Sequence, residues 1–222
     1  MQLPNGPSGE KFPLVEKALQ SERIVRYMPA AGREKAVAFK FYLWNCALCE
    51  AFFSSLHFSE ITCRNAIHQA LLGRGDLGWF ENTTFKGILD DRFRKELLEA
   101  VRQERLQHGD KVSPHHVVSA LTFGFWEHLA TKRFERYLWA KGIHHAFPHA
   151  PKGKTYEDLH KLMESVRRWR NRIAHHRAIF DKGPMRKHQD ALELIQWVCG
   201  DTATWVASIS RVPIAIGLRP QR

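Results

Sequence analysis

The chain has 222 residues, 44% of them hydrophobic and 11% aromatic, which supplies a substantial core and excludes wholesale disorder. A formal charge of +11 favours a polyanionic partner, either nucleic acid or an acidic membrane surface. The longest uncharged apolar stretches, 41–49 and 51–59, are interrupted by Glu50 and fall short of the ~18–20 residues of a membrane span, and residues 1–12 lack the basic-then-apolar layout of a secretory signal.

A cytoplasmic, reducing location is therefore expected, with Cys46, Cys49, Cys63 and Cys199 as free thiols. Residues 1–10 read as a loose lead-in. Residues 12–28 carry Leu14, Val15, Leu19, Ile24 and Val25 at amphipathic-helix spacing, and the Pro/Gly break at 29–32 ends that helix. Residues 34–72 form the most apolar stretch, free of Pro and Gly and closed by Gly73 and Gly75. Apolar nearly all round, it predicts a central buried helix, or two helices joined near 57–59. Cys46 and Cys49 within it form a C-x-x-C, but no second Cys or His pair follows at zinc-finger spacing, so both read as core packing.

A loop is expected over 73–84 and an exposed charged helix over 90–107. Ser113 and Pro114 read as an N-cap followed by Pro at the first helical position. Helical signals resume over 117–121 and 126–140, before a His- and Pro-rich loop at 142–153. The next helix spans 155–180, capped by Thr155 with Asp158 three residues on; a last one runs from 185 to about 210 after Pro184, leaving 211–222 as a tail. With no strand alternation and no internal repeat, the expected class is all-α, one domain over 1–222.

The segment 159–180 is the most informative. Leu159, Leu162, Val166, Trp169, Ile173 and Phe180 form one apolar stripe at helical spacing. His176 falls close to that stripe and reads as a core-edge histidine. Opposite it lie Glu164, Arg168, Asn171, His175 and Ala178, with Asn171 one turn before His175. Arg170 sits on the flank, about 140° around the helix from His175, so guanidinium and imidazole meet at one phosphate only through a long reach, a distorted last turn or a second copy of the helix. The surroundings are cationic: Lys161, Arg167, Arg168, Arg172, Arg177, Lys182, Arg186 and Lys187 stand against Glu164 and Asp181. A solvated basic helix is the plain alternative to a site.

The stretch Arg170-Asn171-Arg172-Ile173-Ala174-His175-His176 resembles the R-N-x-x-A-H-H signature of the Abi-like (abortive infection) proteins of the HEPN superfamily, a form of the R-x4–6-H ribonuclease motif. Tyr42-Leu43-Trp44-Asn45, followed by Glu60 and then Arg64-Asn65-Ala66-Ile67, resembles the family's Y-x-W-N and E-x-x-x-R-N-A-I segments. Leu121 to Trp126 resembles its L-x-F-G-F-W segment. An isolated R-x4-H recurs by chance; three matches in family order across 42–176 are specific. The charged stretch 90–110 and the residues after 210 match nothing in the family.

The resemblance implies a HEPN-like helical bundle with a long central helix. It also implies metal-independent endoribonuclease activity without a cofactor, as a toxin or anti-phage effector. Catalytic positions fall on Arg170, Asn171 and His175. A histidine moves the 2′-hydroxyl proton near neutral pH while a guanidinium steadies charge on the phosphoryl oxygens. The products would be a 2′,3′-cyclic phosphate and a 5′-hydroxyl. The resemblance further implies a homodimer with the centre at the two-fold, letting Arg and His act across it. Glu60, Arg64, Asn65 and His176 then lie behind or beside the centre, although a Glu60–Arg64 pair that simply holds the fold is an equal reading. Tyr42, Trp44 and Asn45 border the pocket; Phe123, Phe125 and Trp126 belong to the core.

RNA-backbone contacts are expected from Arg167, Arg168, Arg172 and Arg177, and from Lys152 and Lys154 in the loop that also holds His144, His145 and His149. That loop lacks Cys or acidic ligands, so no metal is assigned to it. Partners would be RNA and an antitoxin or phage-encoded trigger, with no membrane. Two other classes stay open: a non-catalytic RNA-binding or sensor protein, and a structural half of a toxin–antitoxin pair. A peptidase lacks its H-E-x-x-H.

Overall fold

The computed structural model describes residues 6–7, 9–75 and 77–221; positions 1–5 and 8 of the expected lead-in, and 222 of the expected tail, lie outside the described residues. Among the described residues there is no strand, and the class is all-α. One hydrophobic core draws side chains from Ile24 to Ala215.

Helix α1 (Phe12–Leu19) and α2 (Ser21–Val25) replace the single helix expected over 12–28. Gln20 between them sits at φ 62°, in the left-handed region that interrupts the i→i−4 ladder. The kink lets Ile24 and Tyr27 enter the core. Helices α3 (Lys35–Ala51) and α4 (Phe53–Leu72) join at Phe52, not at 57–59. Phe52 keeps right-handed helical angles, its N–H bonding Leu48 O at 3.2 Å and its carbonyl accepting from Leu56 N at 3.1 Å. Just beyond, buried Ser55 and Ser59 bond back to carbonyls three residues earlier, a local competition with the helix ladder.

Across this joined pair an 18-residue window reaches a mean hydropathy of 1.2, long and apolar enough by length and composition to cross a membrane. This corrects the expectation, drawn from Glu50, that no stretch reaches that length. Half of the window is buried inside the fold, as a central core helix requires. Helix α4 packs against much of the remaining chain described below.

Short helix α5 (Thr83–Ile88) is capped by the Asn82 side chain, which accepts from Phe85 N at 2.9 Å. Charged α6 (Asp91–His108) buries only Leu97, Ala100 and Val101. Helix α7 (Pro114–Ala120) starts with the capping box of Ser113 and His116, and Pro at N1. The helix expected over 126–140 is two pieces, α8 (Phe123–His128) and α9 (Glu135–Leu138); extended Thr131 and a tight turn at Lys132–Phe134 separate them. Phe123, Phe125 and Trp126 are buried as expected.

Helix α10 (Tyr156–Ala174) begins at the predicted cap, Thr155 with Asp158, and buries Leu159, Leu162, Met163, Val166 and Trp169. The expected last helix is α11 (Pro184–Val198) and α12 (Gly200–Ile209), parted by extended Cys199. The expected tail contains α13 (Val212–Gly217), whose Val212 and Ala215 are fully buried. Trp44 Nε1 donates to Ala215 O at 2.6 Å, so the C-terminal segment closes over α3. Helices α7, α8, α10, α11 and α12 all pack on α4.

Candidate catalytic cleft

Helix α10 ends six residues earlier than its apolar stripe implied, and the way it ends builds the site. His175 is the C-cap at φ −89°, and His176 takes φ 53°. His176 N–H bonds Ile173 O at 2.8 Å and Arg177 N–H bonds Arg172 O at 2.9 Å. Together these are the two bonds of a Schellman motif, with histidine where glycine usually stands. The core-edge reading of His176 is therefore corrected: the residue lies past the helix, exposed, and its carbonyl accepts from Arg23 Nη1 at 3.2 Å. Phe180 is still buried, but in a loop rather than on the stripe.

That loop is pinned. Asn45 Oδ1 accepts from Ile179 N at 2.7 Å and Phe180 N at 3.2 Å. Phe180 stacks on Tyr27 at 5.0 Å, Arg172 Nε donates to Ala178 O at 2.7 Å, and Arg26 pairs with Asp181. Asn45 and Trp44 are thus buried fasteners, one for the loop after α10 and one for α13, rather than borders of a pocket. Tyr42 is half-buried against Tyr27 and Phe39.

Between α10, this loop and α11 lies a cleft of about 620 Å³. Its lining brings together Asn171 and His175 with Lys161, Arg168, Arg172, Arg177, Lys182 and Lys187, against one carboxylate, Glu164. Arg168 is paired with Glu164 at 2.7 Å, and Lys187 is held by Ser165 Oγ at 2.7 Å and buried Asp190 at 3.1 Å. Lys182 lies 3.6 Å from Asp181, and among the described residues Lys161, Arg172 and Arg177 make no ion pair, Arg172 being spent on Ala178 O. Trp169 floors the cleft, and its buried Nε1–H has no hydrogen-bond partner among the described residues.

Arg170 lines a different cleft, of about 430 Å³, between α4 and α10, with Cys49, Phe53, Leu56, His57, Glu60, Ile173 and Ala174. Its guanidinium lies 3.8 Å from Glu60. Across the ridge it approaches Asn171 Oδ1 at 3.4 Å, so the two clefts meet at the Arg170–Asn171 edge. One copy of the chain thus places Arg170 and His175 on opposite sides of the last helical turn.

Several expected contacts fall elsewhere. Glu60 pairs with Arg170 rather than with Arg64, whose buried Nε has no hydrogen-bond partner among the described residues. Asn65 is exposed and lines neither cleft. Arg167 is committed to buried Glu127 on α8 through a two-pronged ion pair, which raises its pKa, so it is a strut between α8 and α10. Lys154 pairs with Asp158 at 3.3 Å; Lys152 is exposed. In the same loop His145 Nδ1 meets Gly142 O at 2.8 Å, His144 Nε2 lies 3.4 Å from Pro151 O, and His149 is exposed.

Cys46 is exposed on α3, which corrects its reading as core; Cys49 is half-buried, and burial pushes its thiol up to about 12, away from thiolate chemistry. Trp169, on the apolar stripe, and Ser165 also line the cationic cleft, which their spacing does not announce. His57, stacked on Phe53 at 5.6 Å, shares the cleft of Arg170, and its spacing of three residues from Glu60 was the available signal.

Compared with known proteins, the chain matches no protein-family model, no curated protein and no solved structure.

Proposed function

We propose that this chain is a metal-independent endoribonuclease of the Abi-like, HEPN kind, acting as a toxin or abortive-infection effector. The observation that carries the reading is the cleft holding Asn171 and His175, where six cations face one carboxylate. A lining of that sign attracts a phosphodiester backbone, and counterion release favours its binding. In this reading His175 accepts the proton of a ribose 2′-hydroxyl. The 2′-oxygen attacks the adjacent phosphorus, the P–O5′ bond breaks, and the 5′-oxygen leaves as a hydroxyl after taking up a proton. The neighbouring cations steady charge on the phosphoryl oxygens, and Asn171 donates to the phosphate or orients the imidazole.

Arg170 reaches the same phosphate from a second copy of the chain. The apolar cleft at Phe53 and Ile173 supports that arrangement, since Phe53 is 73% exposed beside Arg170. An antitoxin or phage-encoded trigger would regulate the activity.

Expression of wild type beside Arg170→Ala and His175→Ala, scored for growth and RNA integrity, tests the reading. Growth arrest with discrete RNA fragments in wild type alone is expected; intact RNA in all three, with soluble protein, contradicts it. The placement of Arg170 and His175 in separate clefts of one copy favours a second reading, an RNA-binding protein without turnover. Salt-sensitive binding with uncut RNA would select it.

A further inference from the structure

The junction of α6 and α7, outside both clefts, brings together two imidazoles and a carboxylate. Glu104 and His108 are one turn apart on α6, with Oε2 and Nε2 at 3.4 Å. His116, in the first turn of α7, stacks on His108 with ring centroids 4.0 Å apart and planes 8° from parallel. One nitrogen of each ring and one Glu104 oxygen all lie within 4.8 Å of one another. Gly109, at φ 57°, lets the chain turn sharply enough to return His116 to the end of α6.

We propose that Glu104, His108 and His116 form a binding site for a borderline divalent cation of the zinc, nickel or cobalt type, clipping α6 to α7. The donor set decides the class: two imidazoles with one carboxylate suit these ions, whereas calcium and magnesium need a shell of oxygens. Three protein ligands leave a fourth position to water. Tetrahedral bonds of about 2.0–2.1 Å set ligand atoms roughly 3.4 Å apart; Glu104 and His108 already stand at 3.4 Å, and the remaining distances, all within 4.8 Å, need only a small contraction. His108 is an exposed side chain and can rotate to supply it.

His116 is already oriented. Its Nδ1 lies 3.4 Å from Ser113 Oγ and 3.2 Å from Ser113 N. With the proton on Nδ1, the ring donates to the Ser113 hydroxyl and frees the Nε2 lone pair for the metal, the usual support for a ligating histidine. With the proton on Nε2, Nδ1 instead accepts from Ser113 N–H and completes the helix cap. Metal binding therefore selects one tautomer of a ring the fold holds in place.

Titration calorimetry of the full chain with Zn2+, and separately with Ni2+, tests the proposal, with bound Co2+ absorption reporting coordination geometry. One saturable site is expected, weakened about tenfold or more by His108→Ala, at an exposed position, and by the near-isosteric Glu104→Gln, both outside the cap. A His144→Ala/His145→Ala/His149→Ala variant should titrate like wild type. No saturable binding, binding indifferent to His108→Ala, or binding lost in the triple variant would each overturn the site. RNA cleavage in EDTA is a separate readout, so failure here leaves the nuclease reading untouched, and the reverse also holds.

Discussion

On one side of the last turn of α10, six cations and one carboxylate surround Asn171 and His175; on the other, Phe53, Leu56 and Ile173 surround the Arg170–Glu60 pair. The same five-residue stretch, Arg170 to Ala174, feeds both. A straight helix end would leave His175 on a solvated face. The Schellman turn and the loop pinned by Asn45 instead bring Arg177 and Lys182 round to line the cleft beside exposed His175. The cationic side is built from side chains that need a counterion. The apolar side is built from groups that need cover. Adjacent residues of one motif are thus assigned to different physical tasks by where the helix stops.

The largest effect belongs to the cationic side. His175→Ala should lower RNA cleavage about 10²–10⁴-fold, the range for losing a general base, while thermal melting stays near wild type because the side chain is exposed. Asn45→Ala should come next, by removing the wall of that cleft. It orphans the buried N–H groups of Ile179 and Phe180, at a cost of about 2–4 kcal/mol in denaturant unfolding. A smaller change is expected from Lys161→Ala combined with Arg177→Ala, two of the three cleft cations without ion pairs. RNA affinity should fall and the slope of log K against log salt should flatten by about two, with stability unchanged.

Behind both clefts lies His188, packed against Phe52, which in turn packs against Trp169. Burial lowers the His188 pKa. Its unfolded-state value is about 6.5, so the unfolded chain binds the proton first. The stability contributed by neutral His188 is full above pH ~6.5 and is lost as pH falls through and below that value. Buried His68 and His128, also lowered by burial, add to the same slope. Melting temperature should therefore drop on acidification, and His188→Phe should flatten that dependence. The smallest effect is His176→Gly at the turn between the clefts. Relieving a positive φ should stabilise the fold by roughly 0.5–1 kcal/mol.

Much of this architecture was legible wherever local chemistry decides it. Thr155 with Asp158, and Ser113 before Pro114, marked helix starts because caps are short-range interactions. The buried face of α10 followed from its periodicity as far as Trp169. The end of α10 was not legible, because a Schellman turn announces itself by glycine and here histidine occupies that position. The break at Cys199 and the burial of α13 depend on tertiary partners such as Trp44, which no local pattern names. Within the candidate site, the separation of Arg170 from His175 was readable as an angle on a helical wheel. The basic lining was visible only as composition: Arg167 turned out to be tied to Glu127, while Lys182 and Lys187 face the cleft.

We propose that His175, in its cationic cleft, cleaves RNA together with Arg170 from a second copy. Purified wild type, Arg170→Ala, His175→Ala and an equimolar mixture of the two variants should be incubated with RNA in EDTA and the cut ends analysed. Wild type should give 2′,3′-cyclic phosphate ends, either variant alone little cleavage, and the mixture partial recovery. Uncut RNA with wild type, or undiminished cleavage by His175→Ala, would contradict the proposal.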